Sequence, residues 1–316
     1  MTPPKRRLPG TLYFLSPSCD RHEFRLKPTP ETKAAFAFTM VEAANRHGID
    51  IMAVMQMSSH YHAVVYDRLG TLSEFMRDFH AVMGRYGNWR DRAENTKFWS
   101  AQDSEAVEIG DLDALVECTA YALANPTKDF IVERPEQWIG VMTPVEQLGS
   151  GRGQVYYRPK SFFDPGGMTS EGVMLCADYP HELEELMPHA TFRARVKARV
   201  EEIVAKAQAE VAAGRRKFSG LAHAKSLSVW HSARFGPGRE GGRGASPRRR
   251  AAAANHGRLQ AMLEELVAFR RAHCAARLAF KRGLRAILFP AGTWFAWRYY
   301  GVLRHFGVNR TLEAPS

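Results

Sequence analysis

Two histidines separated by one residue, His60 and His62, have a spacing that could hold a metal ion. In a β-strand, residues two positions apart point to the same side, so both imidazoles would face one cation, while Tyr61 would point into the opposite layer as a core residue. Neutral imidazole is a common ligand of divalent transition metals. His80 has no partner at ligand spacing, and we interpret it as a surface or helix-end residue. Two ligands rarely hold an ion firmly, so a third donor is required.

A tyrosine and an asparagine further along the chain could complete this site. Tyr121 precedes Asn125 by four positions, and residues four apart lie one turn apart on the same side of a helix. The amide oxygen of Asn125 would supply the third ligand, and the Tyr121 hydroxyl would lie free beside the ion. A phenolate can attack phosphorus and form a covalent ester while a metal stabilises the developing charge. The set therefore predicts cleavage of a phosphodiester with Tyr121 as the nucleophile.

Each of these residues has a simpler interpretation when it is considered alone. Tyr121 could be a half-buried packing residue, and Asn125 followed by proline could mark only the end of a helix. Tyr86 is the main rival nucleophile, because it lies at the end of a predicted helix beside Arg85 and Arg90. We interpret Tyr86 as a packing or DNA-facing residue and the two arginines as DNA contacts. The catalytic prediction rests on the combination of residues.

The elements that must position these residues follow from hydrophobic periodicity. The pattern predicts strands over 11–15, 51–57, 60–66 and 105–109, and helices over 28–47, 72–86 and 112–124. Asp111 is the predicted N-cap of the last helix, which should stop at Asn125. The order is that of an α+β fold, with a ferredoxin-like or RRM-like antiparallel sheet and helices on one face. His60 and His62 then lie on a strand, and Tyr121 and Asn125 on the third helix.

The two halves of the chain differ in charge. Residues 1–150 contain 16 Lys and Arg against 20 Asp and Glu, whereas residues 151–316 contain 28 against 13. The basic half indicates a polyanionic partner, most often nucleic acid, although a solvated basic tail is the alternative. Arg248, Arg249 and Arg250 lie in a low-complexity stretch and are predicted to make loose phosphate contacts.

Composition divides the chain into a catalytic region and a basic, mostly helical C-terminal region. The predicted segments are a sheet domain at 8–148, a linker and irregular segment at 149–190, a basic helical segment at 191–235, a disordered linker at 236–256 and a helical region at 257–310.

The cysteines and apolar runs indicate a cytoplasmic protein. Cys19, Cys118, Cys176 and Cys274 lie far apart, which is typical of a reducing compartment and excludes a zinc ribbon or a paired redox motif. The most apolar late stretch, 286–297, is too short to span a bilayer. We therefore expect no membrane partner.

Two motifs resemble those of a known enzyme family. His60-Tyr61-His62 matches the His-hydrophobic-His motif of the single-tyrosine HUH transposases, and Tyr121-Ala-Leu-Ala-Asn125-Pro126 matches the Tyr-x-x-x-Asn-Pro motif of the REP-associated tyrosine transposases of bacteria. Further likeness lies in 52–66, 98–99 and 135–138, and the similarity spans about residues 8–145. Relatives usually have asparagine where this chain has Ser59, and often a histidine within 122–124, where this chain has none.

The resemblance implies a specific activity. It implies metal-dependent cleavage of single-stranded DNA at hairpin-marked sites, with Mg²⁺ or Mn²⁺ held by His60, His62 and Asn125. It also implies a 5′-phosphotyrosine on Tyr121 and a free 3′-hydroxyl, so that strand transfer can follow. The expected protein is a monomer or homodimer that acts on nucleoid DNA in a bacterial cytoplasm.

Two other functions remain open from the sequence. One is a non-catalytic, domesticated DNA-binding regulator derived from a transposase, against which the intact motifs argue. The other is an RNA-binding module of the RRM type, which shares the order of strands and helices. The aromatic pattern that RRM strands use to stack bases is missing from the predicted strands, so this alternative ranks last.

Overall fold

A βαββαβ order opens the chain, as the sequence predicts. The computed structural model describes residues 4–100, 106–163, 171–232 and 251–305. The elements of the first half are β1 (Thr11–Leu15), α1 (Pro30–His47), β2 (Ile49–Gln56), β3 (Tyr61–Asp67), α2 (Leu72–Arg90), β4 (Ala106–Ile109), α3 (Leu112–Leu123) and the single turn α4 (Asn125–Lys128). The second half contains β5 (Gly153–Tyr157), α5 (Lys160–Phe163), β6 (Gly172–Cys176), α6 (His181–Glu184), α7 (His189–Ala212), α8 (Leu221–Ser226), β7 (Ala251–Ala252), α9 (His256–Lys281), β8 (Leu288–Phe289), α10 (Phe295–Tyr300) and β9 (Leu303–Arg304).

The main sheet has the strand order β2-β3-β1-β4-β7. The first four strands pair antiparallel, and β7 adds a two-residue parallel strand at the β4 edge. β3 lies between β2 and β1, and its partners run from Leu15 opposite Ala63 to Thr11 opposite Asp67. The α+β, ferredoxin-like prediction is therefore confirmed.

Capping residues set the helix boundaries that matter for the site. The Thr29 side chain accepts a hydrogen bond from the backbone N–H of Thr32 at the start of α1, and Gly48 ends that helix at φ 61°, a conformation that favours glycine. The predicted cap Asp111 accepts from the backbone N–H of Ala114 and so starts α3. α3 ends where predicted, but its chain continues at once into α4, because proline is well accommodated in the first turn of a new helix.

Helices cover both faces of the sheet. α1 and α2 pack on one face, where Tyr13, Tyr61 and Val65 point into a core that contains Phe36 and Phe79. The sequence predicted helices on one face only. The opposite face is also covered, by α3 and α7. There Leu12, Val64, Leu115 and Phe192 are among the buried residues. β2 and β3 are consequently buried along their whole length.

The second half continues the same core. α7 packs against α3 through Phe192, Val196, Val200 and Val204, so no gap separates it from the sheet. Part of the segment predicted as linker and irregular forms the β5–β6 hairpin, whose Leu175 joins the core beside α1. The sequence analysis missed this hairpin because its side chains, apart from Leu175, are exposed or only partly buried and give no clear apolar alternation.

Asp111 also ties the C-terminal region to the sheet. Its second carboxylate oxygen accepts from the backbone N–H groups of Ala254 and Asn255, just before α9. Arg6 bridges the carboxylates of Glu108 on β4 and Glu265 on α9 at 3.2 Å. None of the described helices is long and apolar enough to cross a membrane.

Candidate active site

The four predicted site residues meet on the face of the sheet that α3 covers. His60 pairs with Ser18 at the entrance to β3, and His62 is the second residue of that strand. Tyr121 lies in the last turn of α3, and Asn125 begins α4. The strand alternation and the helix spacing that the sequence predicts therefore bring the four side chains together.

His60 and Asn125 are in direct contact. The Nε2 atom of His60 lies 3.3 Å from the Oδ1 atom of Asn125, and the Nδ1 atom lies 3.1 Å from the Ser59 hydroxyl. Asn125 is only 1% exposed. Burial lowers the pKa of His60 below its ordinary value, although the charge of Asp129 and the bond to Asn125 oppose this shift. The ring is therefore neutral near pH 7, the form that binds metals.

His62 is the polar residue of the site that lacks partners. It is buried, and neither of its ring nitrogens has a hydrogen-bond partner among the described residues. Its ring lies 4.8 Å from that of His60 and stacks on Phe14 at 5.3 Å, between ring centroids. Burial lowers the pKa of His62 well below its ordinary value, and the charges of His60 and Lys128 lower it further. A buried polar group without partners costs stability, so its retention points to a ligand.

Tyr121 borders the histidines and still reaches solvent. Its ring meets His62 edge-on at 5.5 Å and Phe14 at 6.0 Å, between centroids, and the residue is 40% exposed. An exposed phenol at the edge of a donor cluster is open to a large substrate such as a phosphodiester. Two rival tyrosines, Tyr61 and Tyr86, are fully buried.

Lys128 contributes a positive charge beside the site, and no sequence pattern predicted its position. Its ammonium lies 4.9 Å from the Tyr121 ring centroid and donates to Asp129 at 2.6 Å. Burial would lower the pKa of Lys128, but the Asp129 carboxylate and the Tyr121 phenol outweigh it and raise the pKa above its ordinary value. The continuation of the helix through α4 places Lys128 here, which a helix ending at the proline would not do.

The donor atoms fit a divalent metal ion. His62 offers a ring nitrogen without a partner among the described residues, and His60 and Asn125 converge at 3.3 Å. Neighbouring ligands of an octahedral ion with bonds of about 2.1 Å are about 3 Å apart, which is close to this separation. Within the described part of the chain, no group of three His, Cys, Asp or Glu could hold a metal. Asn125 is therefore the third donor that this site offers.

His80 lies in the middle of α2 and is only partly exposed, which differs from its interpretation as a surface or helix-end residue. Its Nε2 atom lies 2.9 Å from the Tyr61 hydroxyl, and its ring stacks on Trp99 at 4.3 Å. Burial lowers the pKa of His80 to about 3. His80 lies on the α1–α2 side of the sheet, where it contacts Tyr61. It therefore does not face His60, His62 and Asn125.

The arginines predicted to contact DNA lie away from this cluster. Arg85 and Arg90 are on α2, on the opposite face of the sheet. Arg90 donates to Asp91, Thr32 and the carbonyl of Arg25, so its guanidinium has a structural role. Arg85 is exposed, in a cleft that Arg46 and Arg158 also line. Both remain predictions as DNA contacts, and Arg248, Arg249 and Arg250 lie outside the described residues.

Comparison with known proteins gives a partial likeness to a solved structure. No protein-family model matches the chain, and no curated protein matches it. A solved structure of a REP-associated tyrosine transposase bound to a REP hairpin is similar over 55% of this chain and 99% of its own, with a TM-score of 0.40 and 14% sequence identity. A likeness at this level carries no residue-by-residue correspondence.

Proposed function

We propose that this chain is a metal-dependent single-stranded DNA nickase and strand transferase of the single-tyrosine HUH transposase type. Tyr121 is the nucleophile, and His60, His62 and Asn125 hold Mg²⁺ or Mn²⁺. The substrate is single-stranded or hairpin DNA, and the residues that carry the chemistry lie in the sheet domain, 8–148. The reaction takes place on nucleoid DNA in the bacterial cytoplasm, with a monomer or a homodimer as the active form.

The observation that carries the proposal is the meeting of an exposed phenol with three metal-binding donors. The His60–Asn125 separation is 3.3 Å, His62 has no hydrogen-bond partner among the described residues, and Tyr121 borders His62 and solvent. These residues come from two motifs about sixty positions apart in the sequence. Packing alone gives no reason for a buried histidine without partners to lie beside an exposed tyrosine.

The side chains suggest how cleavage would proceed. The Tyr121 oxygen attacks phosphorus, the bond from phosphorus to the 3′ oxygen breaks, and the phenolic proton ends on that 3′ oxygen. The products are a 5′-phosphotyrosine and a free 3′-hydroxyl, and attack by a different 3′-hydroxyl reverses the step on a new strand. A divalent ion bound by His60, His62 and Asn125 supplies Lewis-acid polarisation of a non-bridging phosphate oxygen.

Lys128 is proposed to stabilise the negative charge of this step. Its ammonium faces the Tyr121 ring and stays protonated, so it favours the phenolate and the charge that develops on the phosphoryl group. Phe14 packs against both His62 and Tyr121, and so fixes the angle between the metal-binding strand and the nucleophile.

The RRM alternative is disfavoured by the layer that covers the sheet. An RRM stacks bases on an open sheet face. Here α3 and α7 bury the face that carries Val64, and α1 and α2 bury the other. A non-catalytic regulator shares this fold, and it differs from the proposed enzyme only in the outcome of a nicking assay.

An adduct assay tests the proposal. The protein is incubated with 5′-labelled or 3′-labelled oligonucleotides from the DNA beside its gene that can fold into hairpins, in Mn²⁺, Mg²⁺ or EDTA. We expect a metal-dependent covalent adduct on denaturing gels that retains the DNA 3′ of the nick, and no adduct with Tyr121→Phe. Tyr157→Phe is the matched control, because Tyr157 is exposed and lies on the β5–β6 hairpin. An equal adduct with Tyr121→Phe would exclude Tyr121 as the nucleophile.

A further inference from the structure

A basic segment that follows α7 runs along the rim of the candidate active site. We call residues 213–232 the rim segment. It contains Arg215, Arg216, Lys217 and Lys225, and it contains no Asp or Glu. It lies beyond the region of motif resemblance, and none of its residues belongs to the proposed catalytic set.

The rim segment is anchored at two places, one just after α4 and one at the loop that follows β1. At the first, the backbone N–H groups of Ser219 and Gly220 donate to the carbonyls of Phe130 and Ile131. The α8 turn then packs on a small core that contains Met55, Met57 and Trp138.

The other end of the rim segment lies against the loop that follows β1. Phe24 donates its backbone N–H to the carbonyl of His231, and Lys27 donates to the carbonyl of Leu227 at 2.7 Å. The Trp230 ring lies 5.0 Å from the guanidinium carbon of Arg25, which is fully buried. The rim segment is therefore a fixed part of the wall around the site.

The charges near the start of the rim segment are free for a ligand. Arg215, Arg216 and Lys217 are exposed, and none of them forms an ion pair within the described part of the chain. The arginines of α7 differ, because Arg195 pairs with Asp113 and Arg199 pairs with Glu117 on α3. These arginines of α7 are thus paired with carboxylates of α3, whereas the basic side chains of the following turn are available to bind a ligand.

These free charges line a groove next to α4. Arg215, Arg216 and Lys217 line this shallow groove of about 560 Å³ together with Asp129 and Phe130. Asp129 is neutralised by Lys128, whose ammonium faces the Tyr121 ring. Asp129 and Lys128 therefore connect the groove beside the basic turn to the proposed nucleophile.

The composition of the groove fits a nucleic-acid backbone. The guanidinium carbon of Arg216 lies 5.6 Å from the Phe130 ring centroid, and Phe130 lies 6.1 Å from Phe218 between centroids. Cationic side chains beside aromatic rings are what proteins use to bind single strands without sequence preference.

We propose that Arg215, Arg216 and Lys217 form a phosphate-binding track for the single-stranded DNA that flanks the scissile phosphate. This inference rests on the proposed function for its substrate and its direction. It assigns DNA affinity to the turn after α7, whereas the sheet region, residues 1–150, has an excess of acidic residues.

A salt titration of DNA binding tests the track. The full chain carrying Tyr121→Phe, which prevents cleavage, is titrated against a fluorescein-labelled 30-nucleotide single strand of mixed sequence, between about 50 and 300 mM salt. Each phosphate contact adds about 0.7 to the slope of log K against log salt, so Arg215→Ala/Arg216→Ala/Lys217→Ala should lower the slope by about 2. If the triple variant and its parent bind equally at 1 M salt, this difference in slope corresponds to about 100-fold weaker binding of the triple variant at 0.1 M salt.

The matched control removes the same total charge elsewhere. Lys281, Arg282 and Arg285 are exposed at and just after the end of α9. α10, which follows them in the chain, contacts α2 through the Arg77–Tyr299 hydrogen bond, and α2 packs on the other side of the sheet. Their triple alanine variant should keep the original slope within about 0.5. The variant Arg215→Lys/Arg216→Lys, which keeps the charge, should also keep the original slope. Equal slopes for the two alanine triples would overturn the track.

The outcome can be separated from that of the proposed function. If the protein with Tyr121 intact forms the covalent adduct but the rim triple keeps the original slope, the track is wrong and the enzyme stands. If no metal yields an adduct but the rim triple lowers the slope as expected, the track stands and the proposed chemistry is wrong. Circular dichroism and the melting temperature of each variant confirm that the compared proteins are folded.

Discussion

Replacing His62 by leucine should make the metal-free protein more stable. His62 is 3% exposed, and neither ring nitrogen has a hydrogen-bond partner among the described residues. Leaving a buried donor or acceptor unsatisfied costs about 1–3 kcal/mol, whereas leucine has similar volume and no polar atoms. Some of this gain is offset by the lost stacking on Phe14, worth about 0.5–1.5 kcal/mol. We expect His62→Leu to raise the free energy of unfolding in EDTA by about 0.5–1.5 kcal/mol.

The same change at His60 should have the opposite sign. His60 contacts the Ser59 hydroxyl at 3.1 Å and Asn125 Oδ1 at 3.3 Å, so His60→Leu leaves a buried amide oxygen without that partner. We expect a loss of about 1–3 kcal/mol in EDTA. The contrast between two neighbouring histidines controls for the general effect of adding an apolar residue to this site.

Urea unfolding in EDTA and melting curves in Mn²⁺ measure both effects. A free-energy change of 1 kcal/mol shifts the melting temperature by about 2–4 °C in a domain of 150–250 residues. With Mn²⁺ at 100 times its Kd, the original protein should gain about 2.7 kcal/mol, and neither histidine variant should gain as much. A His62→Leu protein that is less stable than the original in EDTA, or that keeps the full Mn²⁺ gain, would refute this assignment of His62.

Four further substitutions test the fold and the chemistry. Burial lowers the pKa of His80 to about 3 in the folded protein, whereas histidine in the unfolded chain has a pKa of about 6.5. Between these two pH values the unfolded chain binds a proton that the folded protein does not bind, so the free energy of unfolding decreases as the pH falls below about 6.5. Between pH 7 and pH 5 the protonation of His80 in the unfolded chain should lower the free energy of unfolding by about 2 kcal/mol. His80→Gln should lack this part of the pH dependence when stability is measured by urea unfolding. Gly87→Ala places a methyl 1.9 Å from Phe98 and should cost about 1–3 kcal/mol. Gly84→Ala, with its nearest neighbour atom at 3.6 Å, should gain up to about 1 kcal/mol, and an equal loss for both variants would contradict the packing. Lys128→Met should slow adduct formation about 100-fold and leave the Mn²⁺-dependent rise in melting temperature unchanged, and an unaltered rate would exclude its proposed role.

Local rules predicted the elements and the approximate position of the site. The cap at Asp111, the alternation around His60 and His62, and the helical spacing of Tyr121 and Asn125 are short-range features that the sequence displays directly. They were sufficient for the order of elements and for the approach of the four side chains.

Long-range packing accounts for what the sequence did not predict. His80 is partly shielded from solvent because Trp99, from a separate segment, stacks on its ring. Lys128 reaches Tyr121 because α4 continues the chain past a proline that was expected to end the helix. The absence of partners for His62 among the described residues depends on every neighbour that packs around it, so no pattern in the chain could reveal it.

The most direct test is to identify the residue that carries the DNA. The adduct formed with a hairpin oligonucleotide in Mn²⁺ is digested with nuclease and protease, and the modified peptide is sequenced by mass spectrometry. The proposed chemistry requires a nucleotide joined through its 5′-phosphate to the Tyr121 oxygen. A nucleotide on another residue, or nicked DNA with no protein attached at any time, would contradict it.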